Sequence, residues 1–163
     1  MKTAYCLILA LSLSAATPLQ AELPTKKVLT LGLAKRLVAA AEAEARKRGA
    51  TVVIAVVDDG GQLILLERLD DTQVASVEVA IGKARTAATF RRPSKDFEDQ
   101  VKNGRVAALA LPGATPLQGG IPISVEGKVI GAIGASGNNP QEDEEIALAG
   151  ANLTAAAVQE VGK

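Results

Sequence analysis

The chain has 163 residues, with 18 basic and 18 acidic side chains, no histidine and no tryptophan. With no basic excess, and only three aromatic residues (Tyr5, Phe90, Phe97), it lacks the charge of a nucleic-acid binder and the stacking platforms of a single-strand binder. Without histidine there is no Ser-His-Asp triad and no imidazole base, and with only one cysteine besides there is no typical zinc site.

The chain opens MKTAYCLILALSLSAATPLQAELP. Lys2 gives a short positive end, Ala4 to Ala16 an apolar run, and Ala21 a small residue at a cleavage position. This is the three-part build of a secretory signal peptide over residues 1–21. Its apolar run is too short to span a bilayer comfortably. Residues 22–163 then form one mature domain, expected in the periplasm or outside the cell, with no membrane span. Cleavage removes Met1, Tyr5 and Cys6, so the mature chain holds no Cys, Met or Tyr and 17 basic residues against 18 acidic ones. Thiolate catalysis and disulfides are excluded with them. Asp, Glu and Lys remain for proton transfer, and no metal site is expected.

Thr30 to Arg48 reads as a helix. Thr30 is a cap, Leu33, Leu37, Ala40, Ala41 and Ala45 share a face, and Gly49 suits a left-handed stop. TVVIAVVD (51–58) is a buried strand, DDGG a turn, and QLILLER (62–68) the returning strand. Val74 to Phe90 is helical, with Val77, Ile81, Ala84 and Ala88 about one turn apart. Pro93 ends it, Ser94 caps a short helix, and Gly104 closes that one. A short strand is expected near Val106–Leu111. IPISV and KVIGAIGA then flank Glu126-Gly127 as a hairpin. Asn139 caps the last helix, Pro140 fits its first position, and Glu142 can close a capping box. Antiparallel strands separated by helices point to an α+β class: one domain, an antiparallel sheet of about five strands, helices packed on it.

The segment GGIPISVEGKVIGAIGASG (119–137) invites chemical readings. Gly131, Gly134 and Gly137 lack the spacing of a dinucleotide fingerprint, and Glu142–Glu145 at the following helix start repel phosphate. Ser136 in GASGN sits in an incomplete nucleophile elbow, with no histidine base. Gly131 and Gly134 are therefore read as places where another backbone, a neighbouring subunit or a flat ligand comes close. Asp58, Asp59, Glu67, Asp70 and Asp71 cluster at one hairpin. Lys83 and Arg85 offer cations for a carboxylate.

The blocks IAVVDDGGQLILLERLD, ASVEVAIGKARTAATFRRPSKDFED, GGIPISVEGKVIGAIGASG and DEEIALAGANLTA occur in this order. Together they resemble the GlcG/HbpS-like family of haem-binding proteins and the C-terminal domain of PduO-type proteins. The resemblance covers roughly residues 31–161. It implies an α+β fold, homo-oligomers, and haem or a related tetrapyrrole bound at or near a subunit contact. It places ligand-binding residues at Lys83, Thr86 and Phe90, and at Gly119, Gly120 and Pro122, with Lys83 or Arg91 pairing a propionate. The missing histidine departs from the pattern of members that ligate haem iron through one. The expected function is small-ligand binding rather than catalysis. The alternatives are an enzyme acting on a small organic acid, with Lys83 or Arg85 binding it and Asp58 or Glu67 as acid or base, and a ligand-free structural oligomer.

Overall fold

The computed structural model describes residues 23–161. Helix α1 (Leu31–Arg48) is followed by strands β1 (Val53–Asp58) and β2 (Leu63–Arg68), then helices α2 (Ser76–Phe90) and α3 (Lys95–Lys102). A 3-10 helix (Val106–Ala110), strands β3 (Gly120–Val125) and β4 (Lys128–Ser136), and helix α4 (Pro140–Val161) complete the chain. The strands form one antiparallel sheet in the order β2-β1-β4-β3. The α+β class stands, with four strands. The expected signal segment, residues 1–21, lies outside the described residues.

Strand alternation splits the apolar residues between two layers. Val52, Ile54, Val56, Ile133 and Ala135 join Leu37, Val38 and Ala41 of α1 and Ile146 and Ala147 of α4 in one core. Val53, Ala55, Val57 and Ala132 point the other way, onto Ala80, Ala84 and Ala87 of α2. The sheet therefore separates α1 and α4 from α2. Because β1 is covered on both faces, it reads as a continuous apolar run.

The short strand expected at Val106–Leu111 is instead the 3-10 helix. Its Val106 and Leu109 are exposed, and alanine, which fills the rest, has little preference for a pleated surface. No strand of the described sheet pairs there.

The caps at Thr30, Gly49 and Asn139 follow the sequence, while those expected of Ser94 and of the Glu142 side chain do not form. The Thr30 hydroxyl accepts from the Leu33 amide at 3.3 Å, and Gly49 takes the left-handed conformation (φ 65°). Asn139 accepts from the Glu142 amide at 3.0 Å. Ser94, by contrast, makes no side-chain cap to α3. Its hydroxyl donates to the Leu117 carbonyl at 2.6 Å and accepts from the Gly120 amide at 2.8 Å, tying the 111–119 loop to β3.

The close approaches at the glycines are to the chain's own backbone. A Cβ on Gly134 would lie 2.7 Å from the Ala84 nitrogen, and one on Gly120 would lie 2.6 Å from the Lys83 carbonyl carbon. Helix α2 thus rests directly on β3 and β4, at a separation only glycine permits. At Gly131 a Cβ would meet the Val57 carbonyl and Leu29.

Candidate functional site

Where the seated end of α2 meets the start of α4, a cleft of about 240 Å³ opens. Its floor is buried and polar: Ser76, Lys83, Gln118, Ser136 and Asp143. Gln73, Ala75, Leu117, Asn138 and Pro140 are exposed and form its rim. Helical phase places Ser76, Lys83 and Asp143 on the inward faces of their helices. Ser76, Ala80, Lys83 and Ala87 recur on the buried stripe of α2. Asp143, Ile146, Ala147 and Gly150 recur on the buried stripe of α4. Each helix therefore carries one charged side chain inward, and the two meet.

The Lys83 ammonium donates to Asp143 Oδ2 at 2.7 Å and to the Ala135 carbonyl at 3.0 Å. The pair is withdrawn from water, with side-chain exposures of 4% and 3%. The other carboxylate oxygen of Asp143 accepts from the Asn138 amide at 3.0 Å. This supplies the reciprocal half of the cap that the sequence assigned to Glu142, one residue later. Burial pushes the Asp143 carboxyl above its ordinary value, against the opposing pull of Lys83 and Asn138. Glu98 lines the same cleft. Burial would raise its carboxyl too, but hydrogen bonds from Lys102 and the Gln118 amide win and hold it low.

The candidate residues from the sequence divide. Lys83 lies in the floor, and Gly119 lies behind it, where a Cβ would stand 3.0 Å from the ammonium nitrogen. Gly120 seats the α2 backbone. Thr86 is buried one turn further along, donating to the Gly82 carbonyl at 2.8 Å and accepting from the Thr115 amide at 2.7 Å, so it anchors a loop. Phe90 ends α2 and packs edge-to-face on Phe97, centroids 4.9 Å apart. Arg91 is the exposed left-handed cap of α2 (φ 57°). Both stand about 10 Å or more along the helix from Lys83. Pro122 is half-buried opposite Ala132, further along β4 from the Ser136 end.

The acid-base set proposed for an enzyme does not assemble. Asp58 pairs with Gly131 while Ser136 pairs with Val53, so they lie about 16 Å apart along the strands. The Asp58 carboxylate instead accepts from the Gly60 and Gln62 amides at 2.9 and 2.8 Å, closing its turn. Arg85 donates to the Gly61 carbonyl at 3.2 Å, at that same distant end. Glu67 lies opposite Ile54 and meets Glu42 of α1, across the sheet from Lys83.

The residues matched by the family model are 29–152, and the model is described as "Haem degrading protein HbpS-like". The chain belongs to the HbpS-like family. It is 45% identical to Protein GlcG of Escherichia coli strain K12 over 112 residues, covering 69% of this chain and 84% of that protein. It is 30% identical to the corrinoid adenosyltransferase PduO of Salmonella typhimurium, over 83% of this chain and only 41% of PduO. Among solved structures it is similar to Klebsiella pneumoniae protein ORFY, with a TM-score of 0.79 and 27% identity over 85% of this chain and 98% of that one. It is similar to a double mutant of Streptomyces reticuli HbpS, with a TM-score of 0.75 and 31% identity over 85% and 97% of the two chains. It is also similar to a PduOC–haem complex, with a TM-score of 0.71 and 25% identity over 77% and 94%.

This cleft offers haem iron no strong axial ligand. The described residues hold no His, Cys, Met or Tyr, the usual strong ligands. The one amine in the cleft is committed to Asp143 and Ala135. The volume of about 240 Å³ also falls below the range of pockets that enclose a drug-sized ligand. A macrocycle does not fit inside one chain's cleft.

Proposed function

We propose that this HbpS-like protein is a secreted or periplasmic binding protein for haem or a related anionic tetrapyrrole. The ligand lies across the cleft mouth and is covered by a second copy of the chain. The observation that carries this reading is the likeness to the PduOC–haem complex over 77% of the chain. Two features of the surface support it. The cleft is too shallow for a macrocycle, so most of the ligand face needs another wall. The rim carries exposed Leu117, and Val74 beside it is 71% exposed, which suits an apolar ring face. Propionates would meet exposed Arg91. With no strong protein ligand to iron from this site, binding rests on apolar contact and charge.

The protein absorbs little near 280 nm once residues 1–21 are removed, because tryptophan is absent and the only tyrosine is Tyr5. A haemin titration is therefore clean. The expected result is a shifted, saturable Soret band that Leu117→Asp and Arg91→Ala weaken, from a species larger than a monomer by light scattering. A spectrum equal to free haemin at every ratio would sink the reading. The family description also names haem degradation, and decay of the bound Soret band with time reads that directly. Cell fractionation with and without residues 1–21 tests export.

A further inference from the structure

The floor of the cleft is built for something smaller than a macrocycle. The Ser76 hydroxyl is buried (1% exposed) yet has no hydrogen-bond partner among the described residues. Buried hydroxyls are nearly always paired, and an unpaired one is a standing cost that a ligand can remove. Beside it, Lys83 gives two of its three ammonium hydrogens to the chain, so one donor remains. Ser136 is also buried, on the same face of the sheet, and lines the cleft.

We propose that the cleft between Ser76, Lys83, Ser136 and Asp143 binds a small uncharged polyhydroxy compound, at a site separate from the tetrapyrrole face. Charge selects for neutrality. Lys83 is balanced by Asp143, and Glu98 by Lys102 and the Gln118 amide. A charged ligand would be desolvated there without a counter-ion. An anion would also approach two carboxylates, one of which burial already pushes up. Chemistry selects for hydroxyls. Ser76, Ser136 and the remaining Lys83 hydrogen can donate, while Asp143 and Glu98 accept, so the ligand needs adjacent groups that do both. A hydroxyl does both. Val79, Leu117 and Pro140 supply apolar contact for a short carbon chain. The cleft volume of about 240 Å³ accommodates glycerol or erythritol with room left for water.

The test is an amide-resonance titration of the isotope-labelled protein with glycerol and erythritol, against glycolate and ethylammonium as charged probes. Saturable shifts are expected at Ser76, Lys83, Ser136 and Asn138, with a Kd on the order of 1 mM for ligands this small. Ser76→Ala should fold normally, since alanine suits a helix and removes an unpaired group. It should weaken polyol binding about fivefold, the usual worth of one hydrogen bond. Unsaturable or scattered shifts, tighter binding of glycolate or ethylammonium, or unchanged binding in Ser76→Ala would each overturn the proposal. Haemin titration of the parent protein reads the tetrapyrrole face without the polyol, so failure here is distinguishable from failure of the tetrapyrrole reading.

Discussion

Consider the removal of Asp143. Its carboxylate is 3% exposed and sits 2.7 Å from an ammonium that is 4% exposed. Replacing it by alanine leaves the Lys83 charge buried with the Ala135 carbonyl as its remaining partner. It also strips the Asn138 amide of its acceptor. Breaking one side of such a pair costs about 3–5 kcal/mol. For a domain of this size that lowers the melting temperature by about 10–20 °C. Lys83→Met is the converse change, and its cost depends on pH. The Asp143 carboxyl is raised in the folded protein, mainly by burial, and loses its Lys83 counterweight in the variant. A group with a raised folded pKa binds more protons folded than unfolded, so its stability contribution is lost as pH rises through that pKa. Lys83→Met should therefore be most destabilised at neutral pH and recover as the medium is acidified towards the ordinary Asp range. Lys83→Met/Asp143→Ala should be more stable than the sum of the single losses predicts, with a coupling of at least about 2 kcal/mol. Urea unfolding followed by far-UV circular dichroism measures all four corners of the cycle. Additive losses, or a single loss under about 1 kcal/mol, would show that the pair is solvated and the reasoning wrong.

Other consequences are open to the same unfolding assay. Gly134→Ala forces a methyl group towards the Ala84 nitrogen and should cost about 1–3 kcal/mol through overpacking. Glu126 holds a left-handed conformation (φ 51°) beside Gly127 (φ 74°). Glu126→Asn should raise stability by about 0.5–1 kcal/mol, since Asn-Gly suits this turn and the lost Lys27 pair is exposed; a lower urea midpoint would count against it. The Glu67 carboxyl is raised, first by burial and then by Glu42. Glu67→Gln should melt higher than the parent at neutral pH, with the gain shrinking as the parent's Glu67 protonates on acidification; calorimetry across that range checks the sign.

The elements were legible because each carried its own punctuation. Thr30 and Gly49 bracket α1, Glu126-Gly127 makes the turn of β3 and β4, and Asn139-Pro140 opens α4. The segment around Val106–Ala110 misled because an apolar run with no alternation carries no period. The site was legible only in part. Lys83 stood out as a cation in an alanine-rich helix, but Asp143 hid among four consecutive acids (Glu142 to Glu145). Its phase distinguishes it: Asp143 shares a helical stripe with Ile146, Ala147 and Gly150, while the acids around it do not. Ser76 likewise lies on the stripe of Ala80, Lys83 and Ala87. Phase locates these residues on a buried face, but only the packed structure shows that the two faces meet. Gly120 and Gly134 signalled close approach correctly. What approaches is α2, a long-range contact that spacing along the chain does not encode.

The Lys83–Asp143–Asn138 chain of hydrogen bonds joins residues 60 apart in sequence and clamps the first turn of α4 to α2 and β4. Helix ends ordinarily fray on their own, at little cost. This one cannot open without breaking a buried ion pair and unseating its neighbours. Amide protons of Asn138 and Asp143 should exchange with solvent as slowly as those of the central strands. The same clamp sets the width of the cleft floor, because Lys83 of α2, Ala135 of β4 and Asp143 of α4 are held to one another by hydrogen bonds.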